Sequence, residues 1–108
     1  MKIWVFVERG DDGFWCSTHL TEKGCLLMAV DIVLDVLGVT YDTQEDFDKW
    51  KEEATRSHYQ EEVGDLPCVV NWRDRTLKEL WEIYDSWSAL TWCLATFDCQ
   101  IEGTTVSA

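Results

Sequence analysis

Cys16, His19 and Cys25 stand in a C-x2-H-x5-C arrangement, and thiolate and imidazole are the donors that zinc prefers. Cys68 or Cys93 would be the distant fourth ligand. The spacing speaks against such a site. Cys16 and His19 lie an odd number of residues apart, so on an extended strand their side chains leave opposite faces, and no second paired knuckle follows. A cysteine nucleophile needs a base within hydrogen-bond reach, which His19 or His58 would have to supply to Cys16 or Cys68. Around these residues there is no glycine-rich phosphate loop, serine elbow, HExxH helix or calcium-binding loop. The sequence therefore predicts no catalytic residue, no metal site and no cofactor. Asp31 and Asp35, four residues apart, share one helical stripe. They are read as the wet edge of a buried helix in preference to a carboxylate pair in a cleft.

The remaining chemistry is charge. From Asp42 to Asp65 the chain holds nine acidic residues, Asp42, Glu45, Asp46, Asp48, Glu52, Glu53, Glu61, Glu62 and Asp65, against the three bases Lys49, Lys51 and Arg56. That segment's net −6 is half of the formal −12 of the whole chain. Small domains usually carry a net charge of about 2 to 8, because denser like charge weakens the compact state. The excess implies a surface made to meet something positive. It also excludes direct nucleic-acid binding, since phosphates would be repelled. The nine carboxylates are the candidate partner-binding residues, and the expected partner is a basic protein surface.

These side chains need a scaffold, and 108 residues with 46% hydrophobic and 13% aromatic content suffice for one domain spanning residues 1–108. No basic, apolar leader opens the sequence. The most apolar run, Cys25 to Leu37, is interrupted by Asp31 and Asp35 and is too short to cross a bilayer. Five cysteines are an odd number for a disulfide framework. The expectation is a soluble cytoplasmic protein with reduced, mostly packed thiols.

Lys2 to Glu8 alternates Ile3, Val5 and Val7 against Trp4 and Phe6, which predicts an interior strand apolar on both faces. A five-residue loop, Arg9 to Gly13, turns the chain into a second strand, Phe14 to Thr18. Thr21 as N-cap and Gly38 as the left-handed residue past the end bound a helix over residues 22 to 37. Thr43 then caps a helix from about 44 to 62, whose first turn carries acids where the helix dipole favours them. Phe47, Trp50 and Ala54 form its one thin apolar stripe, so the carboxylates project outward.

Cys68 to Trp72 reads as a short strand, and Thr76-Leu77-Lys78-Glu79 is the capping box of a helix over residues 77 to 88. Thr91 to Ile101 alternates as a last strand, with a helix continuing to about residue 95 as the rival, and Gly103 to Ala108 is read as a frayed tail. The predicted fold is α+β, an antiparallel sheet of about four strands with about three helices packed on one face, in the order β-β-α-α-β-α-β.

Val5-Phe6-Val7-Glu8, Asp11-Asp12-Gly13-Phe14-Trp15 and Gly24-Cys25 resemble the opening of HicB-type antitoxins, in which a strand, an acidic Asp-Gly turn and an aromatic second strand precede a Gly-Cys pair. The resemblance ends there, because helical sequence begins at Leu26 without a further strand and no DNA-binding tail follows.

The charge pattern leads to the expectation of a small intracellular inhibitor occupying the nucleic-acid channel of a nuclease or CRISPR effector subunit. It would be similar in class to phage anti-CRISPR and anti-restriction proteins, its carboxylates imitating a row of phosphates. Trp50, Trp72 and Trp87 are the candidate aromatic anchors, because interface hot spots are rich in Trp. An immunity protein or antitoxin opposing a basic toxin is the alternative within the same physics. A small enzyme, or a soluble α+β domain whose acidic helix only keeps it in solution, is the alternative outside it.

Overall fold

The computed structural model describes residues 1–10, 13–57, 66–95 and 98–106. Strand β1 (Lys2–Gly10) lies between β2 (Gly13–His19) and β3 (Asp98–Thr105), antiparallel to both, in a three-stranded sheet. Helices α1 (Glu22–Leu37), α2 (Gln44–Ser57) and α3 (Leu77–Ala95), with a single 3-10 turn over Trp72–Asp74, complete the described elements. The fold is α+β.

Period-two alternation and the register place Trp4, Phe6 and Glu8 on one sheet face, with Ser17 and Ile101 directly flanking Phe6. That face carries α1 and α3. Phe6 is wholly buried against a core in which α1 supplies Leu26, Ala29, Val30, Val33 and Leu34, and α3 supplies Leu80, Ile83, Tyr84, Trp87 and Leu90. Trp4 meets Trp81 at a ring separation of 6.4 Å. The Tyr84 hydroxyl reaches Cys99 Sγ at 3.4 Å and the Ser17 hydroxyl donates to Met28 Sδ at 3.5 Å, so both outer strands are tied to helices.

The caps form as their residue types require. Thr21 Oγ1 accepts from the Gly24 N–H at 3.0 Å. Gly38 sits at φ 67°, and the N–H groups of Gly38 and Val39 close on the carbonyls of Asp35 and Leu34. This closure satisfies two orphan acceptors at the end of α1. Thr76 Oγ1 accepts from the Glu79 N–H while Glu79 Oε1 accepts from the Thr76 N–H and hydroxyl, opening α3. Those hydrogen bonds from Thr76 and the one from Arg75 favour the ionised form and lower the Glu79 pKa.

Five sequence expectations are corrected. Residues 68 to 72 are not a strand: Asn71 adopts φ 58°, and the N–H groups of Trp72 and Asp74 turn back onto the carbonyls of Val69 and Asn71. Val69 and Trp72, three apart, are thereby both buried, a periodicity no strand provides. Residues 91 to 95 continue α3, because Thr91 lies on the buried helical face with Trp87 and its hydroxyl donates to the Ser88 carbonyl at 2.6 Å. The final strand begins at Asp98, and Gly103–Thr105, expected to fray, pair with Trp4, Ile3 and Lys2. The hairpin pairs out to Gly10 and Gly13, leaving two residues between the strands where five were expected. Lastly, the described sheet has three strands where about four were expected; β1 is its interior strand as predicted, and among the described residues Ile3, Val5 and Val7 on its outer face are half-buried and stand outside the core cluster. The predicted helix over 44 to 62 is realised as Gln44–Ser57, and its last positions lie outside the described residues.

Candidate partner-binding surface

Among the described residues, helix α2 packs on the core through a thin apolar stripe. Phe47 is 2% exposed. Its ring meets Trp87 at 6.1 Å, and Trp50 meets the same indole at 5.6 Å. The Trp87 Nε1–H donates to the Pro67 carbonyl at 3.0 Å, which fixes the plane both rings lean on. With Phe47, Trp50 and Ala54 facing inward, Glu45, Asp46, Asp48, Glu52 and Glu53 are exposed, and Asp42 precedes them on the loop. The N-terminus of α2 is pinned from two sides: Thr43 Oγ1 accepts from the Asp46 N–H at 3.1 Å, and the Thr40 hydroxyl donates to the Asp46 carbonyl at 3.0 Å. Asp48 accepts from the Gln44 amide at 2.9 Å, one turn away. Glu61, Glu62 and Asp65 lie outside the described residues.

The acidic surface continues past the helix in a way the sequence did not announce. A recess of about 340 Å³ lined by Asp31, Asp35, Gly38 and Tyr41 adjoins one of about 320 Å³ lined by Asp42, Asn71, Arg73 and Asp74, and Tyr41 borders both. Asp31 and Asp35 are exposed, which fits their reading as a wet edge, and they also line this open recess. Asp31 is bound to Arg73 Nη2 at 2.9 Å. The Arg73 guanidinium lies 4.5 Å from the centre of the Trp72 ring. A cation therefore already occupies part of the recess, held by a carboxylate and an indole face. Asp74 and Arg73 were hidden by reading their surroundings as a strand. The signal that could have revealed them is Asn71, a residue type that tolerates left-handed backbone, within the polar run Asn-Trp-Arg-Asp-Arg.

The proposed aromatic anchors are not available on this surface. Trp72 and Trp87 are buried in the core and Trp50 is half-covered against Trp87, because α2, the 3-10 turn and α3 need large apolar groups to fill the space between them. Exposed aromatics occur instead at β2, in Phe14 and Trp15.

The thiols and imidazole named for zinc or nucleophilic chemistry are kept apart. Cys16 is exposed on the outer sheet face, whereas Cys25 is fully buried under the other face, where desolvation pushes its thiol up to about 11. His19 Nε2 is 2.9 Å from Ser17 Oγ, so its near partner is a hydroxyl directed at Met28 and not a cysteine. Cys68 Sγ donates to Gln44 Oε1 at 3.4 Å. His58 and the side chain of Cys93 lie outside the described residues. Among the described residues, no group of three or more His, Cys, Asp or Glu is placed to hold a metal ion.

Among the described residues, no helix is long and apolar enough to cross a membrane. Comparison with protein-family models, curated proteins and solved structures gives no match to this chain.

Proposed function

We propose that this protein is a small acidic inhibitor acting inside cells, which binds the basic nucleic-acid-binding surface of a nuclease or CRISPR effector subunit by charge mimicry. The observation that carries this reading is the outward row of Glu45, Asp46, Asp48, Glu52 and Glu53 on a helix with an aromatic root, with Asp42 on the loop that leads into it. Such a row presents carboxylates at fixed spacing, as a nucleic-acid strand presents phosphates, and steers association with a positive groove. The adjoining recess offers a second contact. A lysine or arginine of the partner could enter between Asp35 and Asp42 beside Tyr41, in the manner in which Arg73 already lies against Asp31. No catalytic step is assigned to any residue.

The test is capture of partners from cells containing candidate defence systems, followed by affinity measured against salt. Screening at high ionic strength should weaken binding steeply, since the Debye length falls from about 10 Å at 0.1 M to about 3 Å at 1 M. Replacing Glu45, Asp48, Glu52 and Glu53 by Lys changes the net charge by +8, from −12 to −4. At about 1 kcal/mol per surface carboxylate, this should cost about 4 kcal/mol, or roughly a thousand-fold in Kd. Salt-independent binding, or full inhibition by the reversed variant, rejects the mimicry.

A further inference from the structure

We draw no further inference here: the strongest candidate, the pair of adjoining recesses bordered by Asp35, Tyr41, Asp42 and Asp74, belongs to the partner-binding surface already described, and beyond its carboxylates no second feature among the described residues points to a ligand, since the unpartnered Trp72 Nε1 beside it is itself shielded from solvent.

Discussion

Phe47→Ala removes the buried end of the root that holds the acidic helix while leaving every carboxylate in place. The ring is 2% exposed and meets Trp87 edge-on at 6.1 Å. Deleting a buried Phe costs about 3 to 5 kcal/mol, of which an edge-to-face pair supplies about 0.5 to 1.5 kcal/mol. A domain of this size has only about 5 to 15 kcal/mol of stability, so the loss is a large fraction of the whole. It should act locally first. Helix α2 has 14 residues and a polar composition, and an isolated helix shorter than about 12 to 15 residues is marginal in water. Hydrogen exchange by mass spectrometry should therefore show residues 44–57 losing protection before α1 and α3, and urea unfolding should give the total cost. Trp87→Phe and the double variant complete a cycle, with an expected coupling of about 0.5 to 1.5 kcal/mol between the two rings. Affinity for a basic partner should fall although the net charge is unchanged, because a fixed row of carboxylates becomes an ensemble. A cost below about 1 kcal/mol with unaltered exchange over 44–57 would show that α2 is held by something other than its aromatic root.

Other expectations follow from single contacts. Thr76→Ala removes the cap that accepts from the Glu79 N–H and should cost about 1 kcal/mol in urea unfolding, with fraying confined to the first turn of α3. Alkaline stability should decline as pH passes from the ordinary thiol value near 9.0 through about 11. Burial raises the folded-state pKa of Cys25, so its contribution is complete below the unfolded value and lost as pH rises through the folded one. The buried Tyr84 hydroxyl, raised chiefly by desolvation, adds to the decline, and pH-dependent melting of Cys25→Ala should show a shallower fall over that interval. Gly103→Ala would place a Cβ 2.7 Å from Lys2 Cε and 3.0 Å from ring carbons of Trp4, so both side chains must shift, and should cost about 1 kcal/mol, seen as a lower melting temperature and faster exchange in β3.

Much of the local structure could be read from residue types, because the deciding forces act within a few positions. Thr21 and Gly38 bound α1, Thr76 and Glu79 open α3, and Phe47, Trp50 and Ala54 turn α2's carboxylates outward, all through contacts one turn long. Where tertiary packing competes with a local pattern, the sequence was ambiguous. Thr91 to Ile101 satisfies both periodicities, and burial of Thr91 beside Trp87 settles it as helix up to Ala95. Cys68 to Trp72 has strand composition, but no described strand pairs with it, and Asn71 bends it so that Val69 and Trp72 both point inward. Gly103 suggested a tail, yet it pairs with Trp4 in the sheet, a partner near the other end of the chain that no local pattern reveals.

The sequence by itself determined that this chain carries a dense negative charge on an amphipathic helix, since charge counts and helical spacing need no knowledge of the fold. Only the tertiary structure decided which aromatics are withdrawn from solvent, that Asp31, Asp35, Asp42 and Asp74 border adjoining recesses, and that β1 lies between β2 and β3 in the described sheet. Each of these depends on which distant segments meet. That outcome is set by how well large apolar side chains fill a shared core, a sum over the whole molecule that no short stretch of sequence contains.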